Sequence, residues 1–127
     1  MRANEDVVIE SLRHAGARFA LVHGSRVEPD GGRPDSDLDV AAWWGTAAPQ
    51  SWDVPAPPGV DLLVLDTAPL WMAGRVAQHG RLLFDDDPPA RVAWQADTRL
   101  RYLDESPALQ DRYRQRISQI ARGVAGG

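Results

Sequence analysis

Cysteine is absent from this sequence, which excludes disulfide bonds and thiolate zinc sites. Lysine is absent too, so all 14 basic residues other than histidine are arginine. No apolar run is long enough for a transmembrane helix, and the first residues lack the apolar segment of a signal peptide. The formal net charge of −4 argues against a surface that binds nucleic acid through bulk electrostatics. These absences favour a cytoplasmic protein with no membrane contact and no direct nucleic-acid binding.

The length of 127 residues predicts a single domain, residues 1–127, that closes around one hydrophobic core. The hydrophobicity pattern predicts helix, strand, strand, strand, helix, strand and two helices, which is an α+β fold with a small mixed sheet of about four strands. The expected ranges are 4–15, 18–23, 37–44, 60–66, 69–79, 81–85, a helix that begins within 85–89 and ends near 105, and a last helix over 106–122. The glycine- and proline-rich stretches 28–36 and 45–59 are expected to be connections.

Two aspartates in the second predicted strand, Asp37 and Asp39, are the first candidate site residues. Alternate side chains of a strand share a face, so the two carboxylates project together, with Cα atoms roughly 7 Å apart. Adjacent carboxylates repel each other, and a divalent cation between them reverses that effect. Oxygen ligands of this kind suit Mg²⁺ or Mn²⁺. The alternative is a solvated acidic turn at the end of a loop.

A third carboxylate, Asp61, opens the apolar strand over 60–66. By alternation Asp61 shares a face with Leu63 and Leu65, so it is expected at the core end of the same site. A carboxylate beside a core is costly without a partner, and a shared metal would supply one. The alternative is an aspartate at an exposed sheet edge.

A Gly24-Ser25 pair ends the first predicted strand and is followed by Arg26. A turn that leads into a helix presents free backbone N–H groups to phosphate, and glycine lets the backbone approach closely. Ser25 and Glu28 also have the spacing of a helix-capping box, which is compatible with phosphate binding. Arg26 is the better placed of two nearby arginines for a phosphate, although an ion pair with Glu28 would explain it as well.

The combination of Gly24-Ser25, Asp37-Leu38-Asp39 and a later Asp61 resembles the minimal nucleotidyltransferases of the DNA polymerase β superfamily. Residues 80–85 (GRLLFD) and 101–104 (RYLD) are similar to the MNT-domain antitoxins of HEPN–MNT toxin–antitoxin systems. The resemblance covers about residues 5–115.

This resemblance implies a two-metal protein adenylyltransferase. Asp37, Asp39 and Asp61 would be the catalytic carboxylates and would hold two Mg²⁺ ions, with Mn²⁺ as a substitute. Gly24, Ser25 and Arg26 would bind the nucleotide, with ATP as the substrate. The acceptor would be a tyrosine hydroxyl of a partner HEPN toxin, an RNase, in a hetero-oligomer with the toxin.

Two alternatives to this function remain open at the sequence level. The acceptor could be the hydroxyl of a small molecule such as an aminoglycoside, although little chain is left over for an acceptor domain. The chain could also neutralise a toxin by binding alone, without catalysis.

Several other polar and aromatic residues are explained better by structure than by chemistry. His23 is interpreted as a strand histidine, and Trp43 and Trp44 as core residues rather than a platform for adenine. The acidic run 85–87 is expected to cap a helix, and Tyr102 and Asp104 are expected to support the fold.

Overall fold

The computed structural model describes residues 4–24 and 38–122, with side chains up to residue 105. The elements run in the order α1 (Glu5–His14), β1 (Phe19–His23), β2 (Leu38–Trp43), a short 3-10 helix (Ser51–Asp53), β3 (Val60–Val64), α2 (Leu70–His79), β4 (Arg81–Asp85) and α3 (Pro88–Arg122). The predicted α+β class is confirmed, and the predicted strands agree with the observed ones to within a residue or two. None of the described helices combines the length and the apolar character needed to cross a membrane.

Helix α1 begins and ends at residues whose chemistry explains both boundaries. The side chain of Asn4 accepts a hydrogen bond of 2.9 Å from the backbone N–H of Asp6, which satisfies one of the free donors of the first turn. After the helix, Gly16 adopts a φ of +97°, a left-handed conformation that glycine tolerates best. Val8 and Leu12 are buried, so one face of α1 is anchored to the sheet.

The four strands form one mixed sheet in the order β3-β2-β1-β4. Strand β1 pairs antiparallel with β2 and with β4, whereas β2 pairs parallel with β3. The two central strands are also the most deeply buried: four of the five β1 residues are buried. This arrangement places the end of β1, the start of β2 and the start of β3 at one edge of the sheet.

The two faces of the sheet pack against different helices. Val22 and Val40 belong to a core shared with Val8 and Leu12 of α1. On the other face, Phe19 and Leu21 pack with α2 and α3 in a cluster that includes Ala41, Leu65, Ala73, Val76 and Trp94. Asp39 and Asp61 are strand neighbours of Val40 and Leu62, which pack on the α1 face. Because side chains alternate along a strand, Asp39 and Asp61 lie on the α2 face.

The prediction of two C-terminal helices separated at Ser106-Pro107 is wrong. The backbone is one helix of 35 residues, Pro88–Arg122, that continues through this dipeptide. Proline inside a helix removes one hydrogen bond and crowds the carbonyl four residues earlier, at a cost of about 3 kcal/mol. Its φ nevertheless suits a helix, so helical sequence on both sides can absorb that cost and carry the helix onward.

The acidic run before α3 caps this helix, as predicted. The carboxylate of Asp87 accepts a hydrogen bond of 3.2 Å from the backbone N–H of Ala90, and Pro88 occupies the first helical position. Asp85 pairs with Arg91 at 2.9 Å, and Asp86 forms two bonds of 2.8 Å with Arg13. These contacts occupy the three carboxylates in structural roles.

Candidate functional site

The sheet register places two of the predicted site carboxylates side by side. Asp39 on β2 is the register partner of Asp61 on the parallel strand β3. Adjacent strands lie about 4.8 Å apart, so the two side chains stand next to each other on the α2 face. Asp39 is half-buried and Asp61 is exposed, so the pair lies where the core meets solvent. The expectation that Asp61 shares a face with Leu63 and Leu65 agrees with the packing of both leucines in the α2-side cluster.

Three of the predicted site residues lie outside the described residues: Ser25, Arg26 and Asp37. Their proposed roles therefore stay predictions. Within residues 4–24 and 38–105, no group of three or more histidine, aspartate or glutamate side chains is arranged to hold a metal ion. The described part of the chain supplies two neighbouring carboxylates, and the third expected ligand, Asp37, belongs to the part not described.

Gly24 follows β1 and approaches the carboxylate of Asp39 more closely than any other residue type could. Its φ is +75°, a region that side-chain-bearing residues rarely adopt. A methyl group added at Gly24 would overlap Oδ2 of Asp39 and would lie 3.3 Å from its Cγ. Glycine is therefore required here for two reasons, backbone conformation and the space occupied by a predicted metal ligand.

His23 lies directly opposite Asp39 in the β1–β2 register. Its Nε2 atom is buried and has no hydrogen-bond partner among the described residues. Burial lowers the pKa of His23; Asp39 and Asp61 act in the opposite direction, and Arg75 adds to the lowering. The imidazole is therefore held neutral at neutral pH, beside two carboxylates, and not as their counter-ion.

A cavity of about 440 Å³ opens between the end of β1 and helix α2. His23 and Gly24 line the β1 side, and the lining residues on α2 are Trp71, Met72, Arg75, Val76 and His79. Asp39 and Asp61 are not among the described lining residues, so the cavity adjoins the carboxylate pair across Gly24.

The sequence reasoning missed the α2 wall of this cavity. Trp71, Arg75 and His79 recur at intervals of four residues, which places them in one row on a helix. All three are exposed. A polar and aromatic row on a helix that directly follows the third carboxylate strand was the signal that could have identified this wall.

The two neighbouring tryptophans have the core roles predicted for them. Trp43 stacks on Phe19 with ring centroids 5.1 Å apart and an interplanar angle of 19°. Trp44 is buried, and its indole N–H donates a bond of 2.9 Å to the carbonyl of Ala15. Neither residue lines the cavity at Gly24 among the positions described there.

Neither a protein-family model nor a curated protein matches this sequence. Solved structures do match. A chain of a toxin–antitoxin complex with AMP-PNP has a TM-score of 0.68 and 19% identity, covering 94% of this chain and 99% of that chain. A chain of the toxin–antitoxin complex MntA–HepT has a TM-score of 0.61 and 17% identity, covering 92% and 96%.

A third match is to a complex of a tri-AMPylated HEPN toxin with an MNT antitoxin from Shewanella oneidensis. Its TM-score is 0.56 at 18% identity, covering 86% of this chain and 95% of that chain. At such low identities, these likenesses show that this chain shares the fold of the matched chains. The coverage shows that the likeness extends over nearly the whole length of the matched chains.

Proposed function

We propose that this chain is an antitoxin of the MNT type that transfers AMP from ATP to a tyrosine hydroxyl of a partner HEPN toxin. The observation that carries the proposal is the meeting of Asp39, Asp61 and Gly24 at one edge of the sheet. A carboxylate pair beside a glycine turn is what a metal-bound triphosphate needs.

The structural neighbours support the direction of this proposal. One neighbour was crystallised with AMP-PNP, an analogue of ATP, and another contains a HEPN toxin that carries AMP groups together with its MNT antitoxin. Because the fold is shared, we extend this activity to the present chain and expect a hetero-oligomer with a HEPN partner. Of the sequence motif, Gly24, Asp39 and Asp61 belong to the described residues, and they lie at neighbouring strand ends.

Two described carboxylates support the proposal of a divalent metal ion at this site. Asp39 and Asp61 place two carboxylates side by side, and the sequence puts a third, Asp37, two positions before Asp39. In the proposal these three carboxylates hold two Mg²⁺ ions, for which Mn²⁺ can substitute. Bound Mg²⁺ would neutralise charge on the phosphates and stabilise the attacking and leaving oxygens of an in-line displacement.

Gly24 and the residues that follow it form the proposed phosphate site. The backbone at Gly24 approaches Asp39 without an intervening side chain, so phosphate oxygens held there would lie beside the carboxylate pair. The backbone N–H groups at Gly24 and Ser25 would donate to the β- and γ-phosphates, and Arg26 would add a charged donor.

The proposed reaction is a displacement at the α-phosphorus of ATP. The tyrosine oxygen forms a bond to the α-phosphorus, the bond from that phosphorus to the bridging oxygen of the β-phosphate breaks, and pyrophosphate leaves. The proton of the tyrosine hydroxyl passes to Asp61, which is exposed at the rim of the site. The half-buried Asp39 would serve as a metal ligand.

The direct test is transfer of label from ATP labelled at the α-phosphate. The chain would be incubated with Mg²⁺, labelled ATP and a candidate HEPN toxin. We expect label on a tyrosine of that protein and loss of its RNase activity. In a parallel incubation with an aminoglycoside in place of the protein, label on the aminoglycoside would favour the small-molecule alternative.

An Asp37→Ala, Asp39→Ala double variant separates catalysis from binding. We expect this variant to fold and to bind the toxin but to transfer no AMP. If it neutralised the toxin as well as the original chain does, catalysis would be dispensable and the chain would act as a binding antitoxin.

A further inference from the structure

We propose that the cavity between β1 and α2 binds the terminal phosphates of the nucleotide and that Arg75 is the cation that holds them. This inference rests on the proposed function, because it assigns a second wall to the same nucleotide site. It adds a binding residue on α2 to the predicted set, which came only from β1, β2, β3 and the turn after β1.

The cavity adjoins the carboxylate pair at the end of β1. Gly24 borders the carboxylate of Asp39 and also lines the cavity with His23. A triphosphate held at Gly24 with its α-phosphate toward Asp39 and Asp61 would therefore extend its other end toward α2. The volume of about 440 Å³ is ample for two phosphate groups and their hydrating water.

Arg75 is distinguished from the other arginines by what it does not contact. Of the arginine side chains in residues 4–24 and 38–105, it alone makes neither a hydrogen bond nor an ion pair with a described residue. The others are engaged: Arg13 with Asp86, Arg18 with Asp87, Arg81 with Glu5, Arg91 with Asp85, Arg101 with Asp97 and Arg99 with the carbonyl of Ala77. A cavity-lining guanidinium without a partner in the described part of the chain can serve as a donor to an anionic ligand.

The surroundings of Arg75 favour an anion over an apolar ligand. His79, one turn further along α2, lines the same cavity and can offer a second N–H donor. Val76 and Met72 add apolar lining beside Arg75, so the polar contacts to a ligand on this wall come from Arg75 and His79.

Charge separation along the site points the same way. Asp39 and Asp61 form an acidic end, which repels phosphate oxygens unless cations are bound there. Arg75 forms a basic end on the other side of Gly24 and would attract the terminal phosphates directly. This polarity would orient ATP with its α-phosphate at the carboxylates, which is the orientation that AMP transfer requires.

Two other occupants of the cavity are conceivable and give different experimental results. Trp71, which is 54% exposed, could stack on the adenine ring of the nucleotide. The same cavity could instead receive the aromatic ring of the acceptor tyrosine. The position of Arg75 beside the glycine turn favours phosphate over both.

The test compares the affinities of three ligands without any toxin. Binding of ATP, pyrophosphate and AMP, each in excess Mg²⁺, would be measured by calorimetry for the original chain and for Arg75→Ala. We expect the variant to bind ATP and pyrophosphate about 10- to 100-fold more weakly, the range for one charge-assisted hydrogen bond, and AMP within about twofold. Arg75→Lys should recover part of the loss, because it keeps the charge but not the planar fork.

Arg101→Ala is the matched control. It removes the same charge from another exposed arginine, whose contact with Asp97 is long at 3.9 Å and which lies at a different cavity near Trp94. Its affinities for all three ligands should equal those of the original chain, and thermal unfolding should show that both alanine variants are folded.

Each remaining outcome overturns the inference in a recognisable way. Equal weakening of AMP and ATP binding would place the nucleoside in the cavity. Unchanged affinities for all three ligands would reject Arg75 as a phosphate ligand, and a raised KM for the toxin in a separate AMP-transfer assay of Arg75→Ala would then assign the cavity to the acceptor. If the original chain bound no ATP in excess Mg²⁺, the proposed function itself would fail. If it bound ATP and Arg75→Ala left that affinity unchanged, only this inference would be rejected.

Discussion

At the scale of single residues, both the backbone conformation and the space beside Asp39 favour glycine at position 24. Alanine at this position would have to adopt a φ of +75° and would overlap the carboxylate of Asp39. We expect Gly24→Ala to lower the free energy of unfolding by about 1–3 kcal/mol and to abolish detectable ATP binding. Denaturant unfolding and calorimetry would measure the two effects.

Gly16→Ala is a matched control for this substitution. Gly16 also has a positive φ, +97°, but a methyl group there would meet only Trp44 at an ordinary 3.7 Å. It should therefore show a similar backbone penalty and retain ATP binding. Comparable ATP binding by the two variants would contradict the assigned role of Gly24.

His23 predicts a dependence of stability on pH. Burial lowers the pKa of His23 from its ordinary value of 6.5, so the unfolded chain takes up a proton at a higher pH than the folded chain does. The contribution of neutral His23 to the free energy of unfolding is therefore fully present above about pH 6.5. It is lost as the pH falls from there to the folded-state pKa. The charged groups that act on the imidazole are Asp39, Asp61 and Arg75.

A His23→Gln variant tests this dependence, because glutamine is polar but does not titrate. Urea unfolding with EDTA present would be compared at pH 7.5 and pH 5.5. The original chain should lose more stability between these two conditions than His23→Gln does. The same loss in both proteins would show that His23 does not govern the slope.

The residues of the site differ in how far the sequence reveals them. Asp39, Asp61 and Gly24 could be predicted because their types and spacing are unusual for a strand and its turn. Arg75 could not, because one arginine on an exposed helix face looks like any other until its partners are known. What marks Arg75 is the lack of an ion pair among the described residues, which depends on tertiary contacts.

At the scale of elements, the packing of α2 on α3 depends on Gly74. A methyl group at Gly74 would come within 2.7 Å of Cβ of Tyr102 and would overlap its ring. In an exposed helix, glycine-to-alanine would stabilise by about 1 kcal/mol, but overpacking here should outweigh that gain. We expect Gly74→Ala to lower the free energy of unfolding by about 1–3 kcal/mol in denaturant titrations.

A double-mutant cycle with Tyr102→Ala identifies the cause of that loss. Removing the tyrosine ring makes room for the methyl group, so Gly74→Ala should cost little or become stabilising in the Tyr102→Ala background. An equal cost in both backgrounds would show that the α2–α3 contact is not responsible. The predicted supporting role of Tyr102 would then be unsupported.

Strands were easier to predict from the sequence than the end of a helix. The runs at β1 and β3 are apolar and short; β1 lies between Gly16 and Gly24, and β3 follows Gly59, so their type follows from local pattern. The continuation of α3 through Pro107 does not, because local rules treat Ser-Pro as a boundary. Whether a helix continues past proline depends on the stability of the helix on both sides, which a local pattern does not contain.

At the scale of the whole molecule, the proposed site depends on strand order. The turn at Gly24, the start of β2 and the start of β3 lie at one sheet edge only because β1 is antiparallel to β2 and β3 is parallel to it. The sequence shows that these segments are strands, but a strand order can be recovered only from the tertiary fold or a recognised family. The cavity beside α2 depends on the same tertiary arrangement, so it was not predicted.

The same strand order creates a conflict between stability and function, and Asp61→Asn tests it. Asp39 and Asp61 are register partners, and like charges directly opposite each other destabilise a sheet. Without metal, Asp61→Asn should leave the free energy of unfolding unchanged or raise it by up to about 0.5 kcal/mol. AMP transfer should fall by about 100-fold or more, since the variant lacks both a metal ligand and the proposed proton acceptor.

Asp53→Asn provides the comparison, because Asp53 is an exposed aspartate in the short 3-10 helix and is not paired across strands. It should change neither stability nor transfer. If Asp61→Asn destabilised the metal-free protein by more than about 1 kcal/mol, Asp61 would be supporting the fold, and the loss of transfer could follow from misfolding alone. If Asp61→Asn were instead stable but inactive, the carboxylate would be needed for AMP transfer although it does not add to the free energy of unfolding.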